Sequence, residues 1–129
     1  MGESEVQPPL ARILVVDDDP QFRRALRLAL DSHGYDVEVS ADGRGALDAV
    51  AARAPDLIVL DWHLPELDGI QTCRALREHS AVPIVMASGN RANSKEMALA
   101  AGATDYLPKP FSIGELLLCI EAALGKPNS

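Results

Sequence analysis

Three aspartates in a row, Asp17-Asp18-Asp19, follow one short apolar run, and a single Asp61 ends a second, Asp56 to Leu60. Ser88 ends another, and Lys109, beside Pro110, follows the last. Carboxylates, a hydroxyl and an ammonium are the groups that handle phosphate with a divalent cation. Carboxylates within a few ångströms repel one another unless a cation sits among them. Two or three of them, a carbonyl and several waters suit Mg²⁺, which keeps part of its water and seeks phosphate oxygens. A carboxylate can also attack phosphorus, and a fixed lysine opposite it would clamp phosphoryl oxygens. One helix cap needs one carboxylate, so Asp19 before Pro20 leaves Asp17 and Asp18 unexplained by capping.

These residues meet only if the intervening chain folds to bring them together. Leu10 to Val16, Asp56 to Leu60, Pro83 to Ala87 and Thr104 to Leu107 are aliphatic runs with little alternation, as expected of parallel strands covered on both faces. Tyr35 to Ser40 alternates and suits an edge strand. Helical patterns lie between: one after Asp19-Pro20 with Phe22, Leu26, Ala29 and Leu30 on one face and Gly34 closing it, then about 42–53, 69–78 and 93–101. A last helix is opened by Ser112 and Glu115 as a capping box and stopped at Gly125. Five strands alternating with five helices predict an α/β fold: a doubly wound, flavodoxin-like (βα)5 three-layer sandwich with sheet order 2-1-3-4-5. That order sets the first and third strands side by side, so Asp17, Asp18 and Asp61 converge at the carboxyl edge of the sheet, where such folds bind ligands. Gly89 is expected to admit a close backbone approach beside Ser88.

The 129 residues make one domain able to bury a core without metal or disulfide support. With 47% hydrophobic but only 4% aromatic residues, that core must be aliphatic. A formal charge of −7 argues against direct nucleic-acid binding. No apolar stretch reaches the length of a membrane span, and the acidic start is unlike a secretory signal. Residues 1–9 read as a flexible leader, 10–125 as the domain, and 126–129 as a tail or the start of a linker. Cys73 and Cys119 lack metal-type spacing and read as buried free thiols in a reducing cytoplasm. His33 and His79 fall near helix ends, and Trp62 adjoins Asp61.

The motifs now become specific. Ile13-Leu14-Val15-Val16-Asp17-Asp18-Asp19-Pro20, Asp61 with Leu64-Pro65 and Asp68-Gly69, Ala87-Ser88, and Asp105-Tyr106-Leu107-Pro108-Lys109-Pro110-Phe111 together resemble the receiver domain of two-component response regulators. The resemblance runs from about Arg12 to Leu124. It implies that Asp61 is the phosphoacceptor, taking a phosphoryl group from a phosphohistidine on a sensor histidine kinase. It implies Mg²⁺ held by Asp18 and Asp61, by Asp17 mostly through water, and by the His63 backbone carbonyl. It further implies Lys109 and Ser88 at the phosphoryl oxygens, Ser88 and Tyr106 as the switch pair, and His63 and Asn90 as modulators of phosphoryl lifetime. On phosphorylation Ser88 would be drawn in, loop 88–92 would shift, and Tyr106 would pack inward behind it. The readout face would be the fourth helix, fifth strand and fifth helix.

Other readings make different demands. A haloacid-dehalogenase-type phosphatase would use Asp17 as nucleophile and Asp19 as acid, but it leaves Asp18 and Asp61 without roles and needs a cap domain. A flavin module would place a phosphate against three aspartates. A phosphorylation-independent adaptor would not need the full constellation. Within the receiver reading, Ser80-Ala81-Val82-Pro83, Ser88 and the stretch Phe111 to Leu116 resemble winged-helix transcriptional regulators, in which an attached output domain would follow Gly125. Thr104 and the lack of arginines across Leu117 to Glu121 instead fit a free-standing receiver with a separate effector, for which the run Leu116-Leu117-Leu118 offers a partner face. The expected state is a monomer, with dimerisation on phosphorylation as the mark of the transcription-factor branch.

Overall fold

The computed structural model describes residues 8–89 and 92–125. Asn90, most of the expected leader and the expected tail lie outside the described residues. Five strands, β1 (Arg12–Val16), β2 (Asp36–Ser40), β3 (Leu57–Asp61), β4 (Ile84–Gly89) and β5 (Asp105–Lys109), alternate with five helices. These are α1 (Pro20–Ser32), α2 (Gly43–Ala52), α3 (Gly69–Arg77), α4 (Ser94–Ala100) and α5 (Ile113–Ala123). All pairings are parallel, in the order β2-β1-β3-β4-β5. This is the doubly wound architecture expected from the alternation.

The unbroken apolarity of the inner strands has a direct cause. Leu14, Val16, Ile58, Leu60, Ile84 and Met86 face a cluster with Ala46 of α2, Cys73 and Leu76 of α3, and Ala98 of α4. Their neighbours Ile13, Val15, Leu57, Val59 and Val85 face Leu26 and Leu30 of α1 and Leu116 and Ile120 of α5. Each inner-strand residue therefore meets a helix layer, whichever way its side chain points.

Four helices start on a side-chain cap: Asp19, Asp42, Asp68 and Ser112 accept from Gln21, Gly45, Gln71 and Glu115 amides respectively, the last two as full capping boxes. At α4 the cap residue Asn93 has φ 66° and makes no side-chain cap bond. Gly34 takes φ 94° after α1, as its position required.

Most strand boundaries differ from expectation by one or two residues, and two of the differences have a clear cause. Asp56 stands before β3 rather than in it, its carboxylate accepting the Arg12 amide at 2.7 Å. The fifth strand does not stop at Leu107 but runs through Pro108 to Lys109. Pro108 is tolerated because β5 is an edge strand, where a missing N–H leaves no partner unsatisfied. Cys119 is only half-buried, while Cys73 is fully buried. In the Leu116 to Leu118 run, Leu116 is buried and Leu118 is 68% exposed, since helical spacing turns one inward and the other out. Among the described residues, no helix is long and apolar enough to cross a membrane.

Candidate functional site

The acidic residues are the last rungs of the sheet or the first residues beyond it, so the ladder itself sets their places. Val16 pairs with Leu60 across β1 and β3, and one step further along stand Asp17 and Asp61. Carboxylate oxygens of Asp17, Asp18 and Asp61 lie within 4.8 Å of one another. Asp17 and Asp61 are buried and Asp18 is exposed, giving an acid-lined recess open on one side.

Asp17 is held from several directions. Its amide donates to the Ser40 carbonyl at 3.1 Å, one carboxylate oxygen accepts the Asp19 amide at 2.9 Å, and its carbonyl accepts from Arg23 at 2.8 Å. Asp19 thus steadies Asp17 while capping α1. Lys109 comes from β5, two strands away from β3, yet its ammonium donates to Asp17 Oδ2 at 3.0 Å and to Asp61 Oδ1 at 3.3 Å. The Lys109–Pro110 peptide that follows is cis.

These neighbours set the proton affinities. Burial, then the charge of Asp17, raises the Asp61 pKa above the ordinary aspartate value, although Lys109 and the His63 amide pull the other way. Burial works against the Lys109 ammonium, but its hydrogen bond to Asp17 and the charges of Asp61 and Asp17 outweigh it, so the Lys109 pKa is raised. A site that resists ionisation of a buried carboxylate among other carboxylates is one that gains from added positive charge. The donor set, the three carboxylates of Asp17, Asp18 and Asp61, is hard and all-oxygen, which fits Mg²⁺.

The loop from β3 to α3 folds tightly against the strand end. Trp62 donates to the Ala87 carbonyl at 3.0 Å and accepts from Gly69 at 2.8 Å. Gly69 is the residue that permits this: a Cβ there would lie 2.5 Å from the Asp61 carbonyl oxygen and 2.6 Å from Trp62 Cα. Ser88, 2% exposed, lines a recess of about 350 Å³ with Trp62, His63, Ala92, Ser94 and Met97. Tyr106 is buried, its hydroxyl donating to the Gly89 carbonyl at 2.9 Å and the Ser88 carbonyl at 3.3 Å.

The structure thus brings together Asp17, Asp18, Asp61 and Lys109, and places Ser88, His63 and Tyr106 alongside. Tyr106 stands inward in this structure, held by the two β4 carbonyls. One expectation needs correction. Gly89 makes no close approach, because a Cβ added to it would meet nothing within 4 Å among the described residues. Phe22 was missed: its ring lies under Lys109, with Nζ 4.3 Å from the centroid. In the sequence it is one apolar residue on a helix face, with no sign of a polar neighbour.

The chain matches the family model described as "Response regulator receiver domain" over residues 13–121. It is 49% identical over 115 residues to the response regulator MprA of Mycolicibacterium vanbaalenii, covering 88% of this chain and 50% of that protein. It thus spans about half the length of the curated relatives it matches. Among solved structures, the Francisella response regulator 1452 receiver domain aligns with a TM-score of 0.85 at 33% identity, over 90% of this chain and 98% of that one. The Vibrio cholerae chemotaxis protein CheY4 aligns with a TM-score of 0.83 at 33% identity, over 88% and 98%. With the family's sheet order, its acidic recess and a match across nearly all the described residues, the chain belongs to the receiver domains of two-component response regulators.

Proposed function

We propose that this receiver, residues 10–125, accepts a phosphoryl group on the Asp61 carboxylate from a phosphohistidine of a sensor histidine kinase. The observation that carries this reading is the Lys109 ammonium bonded to both Asp17 and Asp61 at the edge of a three-carboxylate recess. An Asp61 oxygen attacks phosphorus in line. The new O–P bond forms as the P–N bond to the imidazole breaks, and the electron pair leaves with the imidazole nitrogen. Lys109 then holds one phosphoryl oxygen, and the Ser88 hydroxyl another. Mg²⁺, held by Asp17, Asp18, Asp61 and the His63 carbonyl, supplies neutralising charge for the phosphoryl oxygens when bound. Burial keeps these few charges effective, so positioning and electrostatics provide most of the acceleration. His63, in the loop after β3, tunes the access of water and hence the lifetime of the acyl phosphate, a role the family resemblance assigns also to Asn90.

The output runs through Ser88 and Tyr106. Because the Tyr106 hydroxyl is bonded to the Ser88 and Gly89 carbonyls, a shift of Ser88 toward a phosphoryl group is transmitted to β5 without any large swing of the tyrosine. The face of α4, β5 and α5 is the readout surface, in a population shift between two arrangements. An attached output domain or a separate effector reads it, and transcription regulation suits the longer relatives. A cytoplasmic location goes with this reading and with two free thiols.

The test is labelling by acetyl phosphate with Mg²⁺. Wild type is expected to gain one acid-stable, base-labile phosphoryl group, and Asp61→Asn none. Undiminished labelling at another residue would refute the assignment, and a wild-type chain that never labels would leave a phosphorylation-independent adaptor.

A further inference from the structure

We infer that Phe22 is a positioning residue for Lys109, its ring forming an aromatic seat that holds the ammonium over the acidic recess. The inference rests on the reading of Lys109 as the phosphoryl clamp and goes beyond it. A lysine has four rotatable carbons and a strongly hydrated head, so two hydrogen bonds at one end do not by themselves fix its course. Lys109 must also reach back across the ends of β4 and β3 to Asp61 and Asp17.

Phe22 supplies what the carboxylates cannot. Its ring face lies 4.3 Å from Nζ, well within the range of a cation–π contact. The ring is itself fixed by Phe111, which meets it edge to face with centroids 5.9 Å apart and planes at 74°. Phe111 follows the Lys109–Pro110 pair, so the chain that carries the lysine also clamps the ring beneath it. On the other side Phe22 is anchored in α1, whose Leu26 and Leu30 are buried against the sheet. The ammonium is therefore held between two kinds of partner: carboxylates, whose share of the charge changes when phosphate or a cation arrives, and a π face, whose attraction does not. An aromatic face keeps the lysine in place through that change without adding a negative charge to a crowded acidic recess.

The experiment is a double-mutant cycle in the full chain, read by the affinity for beryllofluoride with saturating Mg²⁺, using Trp62 fluorescence or calorimetry. Phe22→Leu keeps an apolar side chain but removes the π face, and is expected to weaken beryllofluoride binding by roughly three- to tenfold. Phe22→Tyr and Phe22→Trp, which keep the face, are expected to stay near wild type. In a Lys109→Met background, itself much weaker, Phe22→Leu is expected to have no further effect. A metal-free signature accompanies this: the Lys109 Hε resonances are shifted upfield by the ring in wild type, and that shift is kept by Tyr and lost in Leu. Should the leucine variant not fold, Phe22→Met replaces it with the same expectation. Equal affinity for wild type and Phe22→Leu, or an equal loss in both backgrounds, overturns the seat and leaves Phe22 a packing residue. If Lys109→Met alone leaves beryllofluoride affinity unchanged, the clamp reading falls and the seat falls with it.

Discussion

Adding one methyl group at Gly69 tests how closely the Asp61 strand and its loop are fitted. An alanine Cβ there would sit 2.5 Å from the Asp61 carbonyl oxygen and 2.6 Å from Trp62 Cα, whereas ordinary contact begins at 3.4 Å. Both atoms are backbone, at the end of a strand paired on both sides, so neither can rotate away. The loop must retreat by almost 1 Å, which strains the 2.8 Å bond from the Gly69 amide to the Trp62 carbonyl. Overpacking of this kind costs about 1–3 kcal/mol, and a weakened hydrogen bond adds about 0.5–1. The reduced freedom of the unfolded chain returns about 0.4–1 kcal/mol. The net is a destabilisation of about 2 kcal/mol, or roughly 8 °C in Tm for a domain of this size.

The functional loss should be larger than the stability loss, because a displacement near 1 Å at the nucleophile can cost on the order of 100-fold in rate. Thermal unfolding gives the first quantity and the initial rate of acetyl phosphate labelling the second, both at a temperature where the variant is folded. Gly114→Ala is the control: its Cβ would meet only Ser112 Oγ at 3.8 Å, within α5, so it should raise stability by about 0.5–1 kcal/mol and label normally. A Gly69→Ala protein that melts within 2 °C of wild type and labels at its rate would show that the loop yields freely, and the fitted-loop argument would fail.

Asp61→Asn should stabilise the metal-free protein at neutral pH, since the raised pKa means the fold disfavours the Asp61 charge. The sign follows: the fold holds the Asp61 proton more tightly than the unfolded chain does. That contribution is therefore full below the unfolded aspartate pKa and is lost as pH rises through the folded value. Urea unfolding from acid to neutral pH should show the advantage of Asn growing upward through that window; an advantage that grows downward instead contradicts the burial argument. Mg²⁺ should stabilise wild type by about 2.7 kcal/mol at roughly 100 times its Kd, reversibly on chelation, and Asp18→Asn should shift the required concentration upward. A melting point indifferent to Mg²⁺ in wild type would remove the metal from the account. Ser112→Ala removes the cap of α5 and should cost about 1 kcal/mol with labelling intact, checked by the same two assays; a variant that lost labelling as well would tie α5 to the chemistry.

Much of the fold was legible because the sheet is buried on both faces, a condition that leaves a direct trace: Leu57 to Leu60 and Ile84 to Ala87 are apolar without a break. Asp17 and Asp61 were legible for a related reason, since a carboxylate closing such a run has no packing role. The last strand runs past Leu107 because an edge strand tolerates Pro108; the edge position was legible in the predicted order, but the continuation to Lys109 was not. Gly69 stood out as part of a motif, but the need for glycine comes from the Asp61 carbonyl, which faces it only after folding. Phe22 gave no signal at all. Its apolar character satisfies a helix face and a lysine seat equally, and nothing in α1 alone distinguishes them.

The two halves of the domain differ in how firmly they are held, and that difference suits a switch. On the chemical side, Asp17 is fixed by bonds from Asp19 and Lys109 and to Ser40, and α3 begins in a full capping box directly after the Asp61 loop. On the readout side, α4 has seven residues, no side-chain cap bond at Asn93, and Met97 and Leu99 exposed. Elements that move in a switch come from the least stable part of a fold, because a ligand can shift an equilibrium only by its differential affinity for the two states. On the proposed function, the recess would concentrate the charge of one added phosphoryl group near Ser88, and Tyr106 joins that strand end to β5. A short helix without a side-chain cap beside that link would let a small shift at Ser88 be read as a change of surface.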